Sequence, residues 1–386
     1  MYRIGEEEIN AVARVIRSKC LFKTMGKETE QCEKELQEKL GADYSIIMTS
    51  GMAALISGLT AMGVGPGDEV IVPAYTYIAT ALAVTAVGAI PVVAEVDDTL
   101  LLNAEDVEKR ISAHTKAIVP VHMWGRPCNM DALCDVARRH DLLIIEDACQ
   151  AVGGSYHGKR LGTIGEIGAL SFNQFKVIST GEGGALLTND RTMFERALIY
   201  HDSGAIAFFG NQLDGIREPQ FCGVEYRGNE IMSAILREQL KRLDGILTDI
   251  RRNRDAVKAA LSDVLQFAPD NDADGDCGLI LAVRFDTEEQ ARRFKNGEGM
   301  VADLPIDTGK HVYTNWTALT EKRGAFHPAM DPFKMEENRG LNMNYTAQAC
   351  PKSLDILART VYLYMNPDWT EAEMQEYIAT CRKAAE

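Results

Sequence analysis

The sequence predicts an α/β protein: a large domain with a mostly parallel central sheet and helices on both faces, then a smaller α+β domain. Three observations support this. Between residues 44 and 187, short β-rich segments alternate with longer helical ones, as in a sheet covered by helices. Most of these β-rich segments are continuously apolar, as strands buried on both faces are. A long helical segment with one apolar stripe then runs from about Asn229 toward Leu261.

Seven segments have the composition of strands, and helical segments separate them. The predicted strands are Ser45–Thr49, Glu69–Pro73, Pro91–Glu95, Ala117–Val121, Leu142–Glu146, Ala169–Phe172 and Ala185–Leu187. The predicted helices include Ala53–Met62, Ile78–Val87 and Asp131–His140. Another helix is expected after Asn103, because Glu105 and Asp106 follow it and acidic residues favour a first helical turn.

The long helical segment is interpreted as a packing helix that joins two domains. Its apolar residues recur at alternating steps of four and three, which gives one stripe: Leu236, Leu240, Leu243, Leu247 and Ile250. We place the domain boundary within this helix. Residues 1–245 form the large domain, including an N-terminal helical segment, and residues 246–386 form the small C-terminal domain.

The composition is that of an ordinary soluble enzyme and argues against several other classes of function. There are 41 Lys and Arg residues against 56 Asp and Glu residues, a net charge of −15, so a nucleic acid would be repelled. The nine cysteines include no CxxC pair, and neither a metal site nor a disulfide framework is expected. Reduced thiols, an acidic N-terminus and no apolar run of membrane-spanning length predict a cytoplasmic protein.

The first segment suited to chemistry is Thr49-Ser50-Gly51-Met52-Ala53-Ala54, where a strand end runs into a helix start. Small residues at such a point let an anion approach free backbone N–H groups, and the helix dipole favours negative charge there. By itself the segment is equally consistent with a plain tight turn.

The second segment is Ile144-Ile145-Glu146-Asp147-Ala148-Cys149-Gln150-Ala151, an apolar strand that ends in two carboxylates. Ligands of open α/β sheets bind at the carboxyl ends of the strands. A carboxylate there could hold a cationic ring nitrogen, and Gln150 could reach a polar substituent of the same ring. The alternative, a carboxylate that caps the next helix, explains only one of the two acids.

The third segment places Lys176 between Phe175 and Val177, shortly before the turn Gly181-Glu182-Gly183-Gly184. Apolar neighbours that exclude water favour the neutral amine, which is the form that attacks a carbonyl group. An ordinary surface lysine is the alternative. The glycine-rich turn is not a Walker loop, because no Gly-Lys-Ser/Thr follows it.

A phosphate cradle, a carboxylate for a ring nitrogen and a lysine, in this order, are what a pyridoxal 5'-phosphate site requires. With these residues the sequence resembles the DegT/StrS family of sugar aminotransferases, which have the aspartate-aminotransferase-like fold, PLP fold type I. The resemblance covers nearly the whole chain. Supporting segments are Val72-Pro73-Ala74-Tyr75-Thr76-Tyr77, Val121-His122-Met123-Trp124-Gly125 and Tyr226-Arg227.

The resemblance implies roles for the matching residues. Lys176 would bind the cofactor covalently and then move a proton between a cofactor carbon and a substrate carbon. Asp147 would pair with the protonated pyridine nitrogen, and Gln150 would lie near the ring hydroxyl. The remaining cofactor contacts would be a stacking Tyr77 and a phosphate site built from Ser171 and the backbone of Gly51 and Met52.

Four further residues are candidates for the walls of the substrate site: His122, Arg227, His311 and Tyr313. For His122, a hydrogen-bonded structural histidine at a strand end is an equally good interpretation. One position departs from the family pattern, because Glu225 stands where the family usually has an Asn that reaches the phosphate of the neighbouring subunit. We expect Glu225 to turn away from that phosphate or to bond Arg227, since two like charges would repel.

The predicted function is therefore transfer of an amino group from glutamate or glutamine to a keto sugar. The sugar could be nucleotide-linked, free, a cyclitol or an eight-carbon acidic sugar, and the resemblance implies a homodimer with shared active sites. A related dehydratase is disfavoured by Lys176, where such enzymes have histidine. A non-catalytic regulatory homologue is disfavoured by the intact set of Asp147, Ser171 and Lys176, and a dinucleotide-binding dehydrogenase lacks its Gly-x-Gly-x-x-Gly turn.

Overall fold

A twisted seven-stranded sheet forms the centre of the large domain in the computed structural model, which describes residues 3–23, 25–204 and 215–386. The large-domain strands are β1 (Tyr44–Met48), β2 (Glu69–Pro73), β3 (Ile90–Ala94), β4 (Thr115–Ile118), β5 (Leu143–Asp147), the two-stranded ribbon β6 (Ser155–Tyr156) and β7 (Lys159–Arg160), then β8 (Ile167–Ser171) and β9 (Gly184–Thr188). The sheet order is β1-β9-β8-β5-β4-β2-β3. This confirms the predicted α/β class with a mostly parallel sheet.

Strand direction decides which ends of the strands meet. The five strands from β8 to β3 are parallel, whereas β9 is antiparallel to both β8 and β1. Consequently β1, β5 and β8 all point the same way, and their carboxyl ends share one edge of the sheet with the start of β9. Ligand sites of open α/β sheets lie at this edge.

Eight α-helices are described between residues 6 and 261; five of them begin at a polar side-chain cap, and the three whose two bounds the sequence predicts end within one residue of the prediction. The eight helices are α1 (Glu6–Ser18), α2 (Glu28–Leu40), α3 (Gly51–Ala61), α4 (Ala79–Ala86), α5 (Ala104–Arg110), α6 (Met130–His140), α7 (Arg191–His201) and α8 (Glu230–Leu261). Asn103 accepts hydrogen bonds from the N–H groups of Glu105 and Asp106, which confirms the predicted start of α5.

The 32-residue helix α8 is the long packing helix that the sequence predicts. All five residues of its predicted leucine and isoleucine stripe are buried, and the helix packs against α1 and α2 on one side and the C-terminal helix on the other. The helix is continuous through Gly245. The domain boundary at residues 245 and 246 stays a prediction.

The C-terminal part is a small α+β unit. Its antiparallel sheet has the order β10-β11-β13-β12, with β10 (Gln266–Phe267), β11 (Ile280–Arg284), β12 (Ala302–Asp303) and β13 (Thr360–Tyr364). The helices are α9 (Glu288–Lys295), α10 (Thr317–Thr320), α11 (Pro351–Ala358) and α12 (Glu371–Ala385).

A segment of this C-terminal part crosses the outer strand β3 of the large sheet. The Tyr345 hydroxyl donates to the carbonyl of Pro91 at 2.9 Å, and Glu95 accepts from the backbone N–H of Ser353 at 2.7 Å. An exposed sheet edge is a site for unwanted pairing, so this segment both protects β3 and fixes the small unit against the large one. Among the described residues, no helix is long and apolar enough to cross a membrane.

Candidate active site

The turn from β1 into α3 forms a cradle of free backbone donors. Ser50 caps α3 by accepting from the N–H of Ala53 at 3.1 Å, and the helix ladder starts with the bond from Ala54 N to Ser50 O. The N–H groups of Gly51 and Met52 precede that first bond, so they are open to an anion.

Two glycines let other segments approach this turn. A side chain at Gly51 would meet the Cys149 sulfur at 2.5 Å and the Ser171 Cβ at 2.9 Å. One at Gly184, the first residue of β9, would meet the Ser50 carbonyl carbon at 2.2 Å. The cradle is therefore lined by residues from β5, β8 and β9, and the Ser171 side chain lies directly beside the Gly51 backbone.

The two carboxylates at the end of β5 have different surroundings. Glu146 is fully buried and accepts from the backbone N–H groups of Gly162, Ile164 and Gly165 at 2.6 to 2.9 Å. It anchors the loop before β8 rather than capping a helix. Asp147, the next residue along the strand, lies on the opposite face and remains available for a ligand.

Asp147 is held by two neutral donors. Its Oδ2 accepts from the hydroxyl of Thr80 at 2.7 Å, and its Oδ1 accepts from the backbone N–H of Cys149 at 3.2 Å. The Thr80 hydroxyl is in turn 2.8 Å from that of Thr76. Among the described residues, no cation forms an ion pair with Asp147, so this buried carboxylate can bind an external cationic group.

Lys176 lies on the loop between β8 and β9. The loop is closed by bonds from Lys176 N to Asn173 O at 3.0 Å and from Thr180 N to Phe172 O at 2.9 Å. The sequence predicts apolar cover from both neighbours of Lys176, but only Val177 is buried, whereas Phe175 is 84% exposed. Within one chain, Phe175 therefore does not desolvate the amine. Among the described residues, the Lys176 ammonium has no hydrogen-bond or ion-pair partner.

Cys149 shows that these groups converge. Burial, followed by the negative charge of Asp147, raises the pKa of the Cys149 thiol well above its usual value, whereas the positive charge of Lys176 lowers it. The thiol also lies against Gly51, as its 2.5 Å approach to the ideal Cβ position shows. The cradle and the Asp147 carboxylate therefore meet at Cys149, and the Lys176 charge lies within electrostatic range of the same thiol.

Gln150 and Tyr77 line the same region. The Gln150 side-chain oxygen accepts from the backbone N–H of Trp124 at 3.1 Å, which leaves its NH₂ group to face a ligand. Tyr77 is 42% exposed and its ring centroid is 5.5 Å from that of His311. An accessible aromatic ring of this kind can stack on a planar cofactor.

His311 is near Lys176, as the resemblance implies. Its Nδ1 is 3.2 Å from the carbonyl of Thr308, and its own carbonyl accepts from Thr76 N. Burial lowers the pKa of His311, and the charge of Lys176 lowers it further. Among the residues that the structure describes, the other ring nitrogen of His311 has no hydrogen-bond partner, so a neutral imidazole could offer it to a ligand.

Two of the expected wall residues lie behind the site. His122 has no exposed surface, and its ring nitrogens bond Glu146 Oε2 at 2.9 Å and Cys128 N at 3.1 Å. The hydroxyl of Tyr313 is fully engaged between Thr346 O and Cys350 N, and its ring is also without exposed surface. Because neither side chain has an atom left for a ligand, both are structural here, and the alternative given for His122 fits.

Arg227 and Glu225 form one charged group beside the cradle. The Arg227 guanidinium pairs with Asp202, pairs with Glu225 at 2.7 Å, and lies 4.9 Å from the ring centroid of Phe22. The expected bond between Glu225 and Arg227 is thus confirmed. Asn229 caps α8 through a bond from Met232 N at 3.0 Å.

Sequence reasoning missed two contributors, Thr80 and Trp124. No sequence signal identifies Thr80, because Thr76 lies before the start of α4 and helical spacing does not relate the two hydroxyls. Trp124 has a φ of 55°, a conformation that a residue with a bulky side chain rarely adopts. Nothing in the segment His122–Gly125 predicts that conformation.

Pyridoxal phosphate fits this arrangement. The cradle has the small residues and free N–H groups that a phosphate needs. Within the part of the chain that the structure describes, Asp147 is a buried carboxylate without an ion pair, which matches a cationic ring nitrogen, and the Lys176 amine has no partner. Met52, Tyr77, Gln150 and Ser171 border the space between them. These assignments of the individual residues remain predictions.

Comparison with known proteins shows similarity to aminotransferases. A family model described as the DegT/DnrJ/EryC1/StrS aminotransferase family matches residues 2–315. A GDP-perosamine synthase from Caulobacter vibrioides is 42% identical over 224 residues, which make up 57% of this chain and 58% of the relative. The matched region thus spans little more than half of that relative's length.

Solved structures are similar over nearly the whole chain. An aminotransferase from Psychrobacter cryohalolentis superimposes with a TM-score of 0.81 at 28% identity and covers 98% of this chain and 97% of its own. DesV of S. venezuelae, solved in complex with a ketimine intermediate, superimposes with a TM-score of 0.77 at 30% identity, covering 98% of this chain and 94% of its own.

Proposed function

Because the chain belongs to the DegT/DnrJ/EryC1/StrS aminotransferase family, we propose that it is a pyridoxal-phosphate-dependent aminotransferase acting on a keto sugar. The amino group comes from glutamate or glutamine. The observation that carries this proposal is the convergence of the Gly51 cradle, Asp147 and Lys176 around Cys149. No other class weighed from the sequence needs all three.

Each residue has a defined task in this function. When bound, pyridoxal phosphate supplies an aldehyde that takes up an amino group and a ring that draws electrons from the adjacent carbon. Lys176 Nζ holds the cofactor and moves one proton between donor or acceptor carbon and cofactor. Asp147 keeps the ring nitrogen protonated through its negative charge. Ser171 and the N–H groups of Gly51 and Met52 hold the phosphate.

The residues that line the site determine where the substrate binds. Tyr77 would stack on the ring and Gln150 would contact its hydroxyl, and His311 stays a candidate for substrate contact at the site wall. Arg227 stays a candidate for substrate contact at the edge of the cradle. His122 and Tyr313 are left out, because their polar atoms are all engaged.

The acceptor is a nucleotide-linked keto sugar, a free keto sugar, a cyclitol or an eight-carbon acidic sugar. The Caulobacter relative is named after a GDP-linked sugar, which supports a nucleotide-linked keto sugar as the acceptor. We also propose that the protein works in the cytoplasm as a homodimer with shared active sites. Nine free cysteines support a reducing compartment, and the exposed rings of Phe175 and Tyr77 beside the site support a partner surface.

A substrate screen tests the function. The protein, loaded with pyridoxal phosphate, is incubated with glutamate or glutamine and each class of keto sugar, and amino sugar and 2-oxo acid are quantified by mass spectrometry. Equal amounts of both products are expected with at least one acceptor. Lys176→Ala should form neither, while the control Lys116→Ala, at an exposed position, should match the parent. Product formation by Lys176→Ala at the parent rate would contradict the proposal.

A further inference from the structure

Asp147 is part of a buried chain of hydroxyl groups that none of the roles above uses. Thr80 Oγ1 lies 2.7 Å from Asp147 Oδ2, and Thr76 Oγ1 lies 2.8 Å from Thr80 Oγ1. Thr76 and Thr80 have 0% and 1% of their surfaces exposed. Water therefore does not compete for these bonds, and buried hydrogen bonds of this kind are strong and directional.

The direction of the bonds follows from the number of protons. An ionised carboxylate only accepts, so Thr80 must give its single hydroxyl proton to Asp147. Thr80 then has only lone pairs for Thr76, so the Thr76 hydroxyl donates to it at 2.8 Å in preference to its longer contact with Tyr77 O at 3.4 Å. Both hydroxyl dipoles therefore point at Asp147 Oδ2, an arrangement that stabilises the negatively charged carboxylate.

The chain also orients the carboxylate. With Oδ2 engaged by Thr80, Oδ1 has one longer bond, 3.2 Å from Cys149 N, and keeps a lone pair for another donor. Thr76 is tied through its backbone N–H to His311 O, and Thr80 through its own to Tyr77 O. The hydroxyl pair thus links Asp147 to the backbone of two residues at the site wall.

We propose that Thr80, supported by Thr76, is a positioning residue that holds the Asp147 carboxylate turned so that Oδ1 receives the cationic ring nitrogen of the cofactor. This inference rests on the proposed function. It assigns a task to Thr80, which lies in none of the motif segments, and to Thr76, which lies in a supporting segment but has no role there. Because the bond is to a charged group, its loss should weaken cofactor binding about tenfold or more.

Other titratable groups face Asp147 and have to be kept constant. The Cys149 thiol faces the Asp147 charge, and the Lys176 amine lies within electrostatic range of that same thiol. The pair of His122 and Glu146 lies on the opposite face of β5, and the same four groups remain in every variant below.

The test compares Thr80→Val, which replaces the hydroxyl by a methyl group, with Thr80→Ser and with the control Thr85→Val. Thr85 is a buried threonine of the same helix whose hydroxyl bonds Leu82 O at 2.9 Å, away from Asp147. Pyridoxal phosphate is titrated into each apo protein, and the visible absorbance of each loaded protein is recorded against pH.

Thr80→Val should bind the cofactor about tenfold more weakly and change the pH dependence of its absorbance. Thr80→Ser should restore both properties, and Thr85→Val should match the parent. Thr76→Val leaves the bond between Thr80 and Asp147 in place. It should therefore change the cofactor affinity and the pH dependence of the absorbance in the same direction as Thr80→Val, but less. If Thr80→Val does not fold, Thr76→Val provides the test.

Three results would overturn the inference. Parent-like affinity and pH dependence in Thr80→Val would show that the hydroxyl has no such task. Equal losses in Thr80→Val and Thr85→Val would show a packing effect of helix α4. A parent that binds no pyridoxal phosphate would refute the proposed function itself, and with it the inference, whereas the first two results leave that function standing.

Discussion

Asp147 is the residue at which burial and charge most clearly require a ligand. The side chain is 6% exposed and its described partners are the neutral donors Thr80 and Cys149. Asp147→Asn keeps the shape of the side chain but removes the charge that holds a ring nitrogen protonated. The half-reaction with the amino donor should slow by about a hundredfold or more, as followed by stopped-flow absorbance. The exposed Asp43 offers a control, and an Asp147→Asn rate near that of Asp43→Asn would refute the pairing.

His201 makes stability depend on pH. The ring is buried, its Nδ1 is 2.7 Å from Leu198 O and its Nε2 is 3.3 Å from Lys23 Nζ. Burial, and then the charge of Lys23, lower the pKa of His201 well below its usual value. The folded imidazole therefore stays neutral, whereas the unfolded one takes up a proton below about pH 6.5.

As the pH falls below that value, the free energy of unfolding should decrease by up to about 1.4 kcal/mol per pH unit through this residue. Urea unfolding between pH 5 and pH 8 measures the slope. His201→Gln should flatten it relative to the parent, while His114→Gln, at an exposed position, should not. Parallel slopes for parent and His201→Gln would contradict this account.

For single residues, the sequence identifies reactive side chains better than it identifies residues that act through packing. Lys176 and Asp147 could be chosen because a lysine and a carboxylate at strand ends suggest chemistry directly. His122 could not be classified, since its partners Glu146 and Cys128 are known only from the folded structure. The sequence does not identify Thr80 as a site residue, because its hydroxyl has a role only through its contact with Asp147.

At the scale of elements, the cradle depends on the absence of a side chain at Gly51. An added Cβ would lie 2.5 Å from the Cys149 sulfur and 2.9 Å from the Ser171 Cβ. Gly51→Ala should therefore displace the start of α3 and lower the affinity for pyridoxal phosphate about tenfold. A titration of the apo protein measures this, and unchanged affinity would show that the cradle does not hold the phosphate.

Gly245 in α8 gives the opposite outcome for the same substitution. The position is exposed, and nothing lies within 4 Å of the added Cβ. Gly245→Ala should raise the free energy of unfolding by about 1 kcal/mol, the difference in helix propensity, and leave cofactor affinity unchanged. A destabilised Gly245→Ala protein would indicate that α8 is not regular where the predicted domain boundary falls.

The elements themselves were predictable because their signals are local. Each strand that the sequence predicts is found within a few residues, and Asn103 and the leucine stripe of α8 behave as expected. The crossing of β3 by residues around Tyr345 was not predictable, because it joins Pro91 to a position more than 250 residues away. Periodicity carries no information about such a pairing.

For the whole molecule, the exposed aromatic rings beside the site predict a dimer. Phe175, the residue before Lys176, is 84% exposed. A second chain packed on Phe175 would exclude water from the Lys176 amine, as the sequence predicts. Light scattering at micromolar concentration should give twice the mass of one chain. Phe175→Glu should weaken the dimer and the control Phe326→Glu, at a fully exposed position of the C-terminal part, should not. A fully active monomer would contradict the shared sites.

The central claim is that one lysine of this chain, Lys176, bears the cofactor at the ends of β1, β5 and β8. It is tested most directly by adding pyridoxal phosphate to the protein, reducing with borohydride and locating the modified residue by peptide mass spectrometry. The account predicts one stable modification per chain, at Lys176, which is lost with inorganic phosphate in large excess or in Lys176→Ala. A modification centred on another lysine, or none in the folded parent, would contradict it.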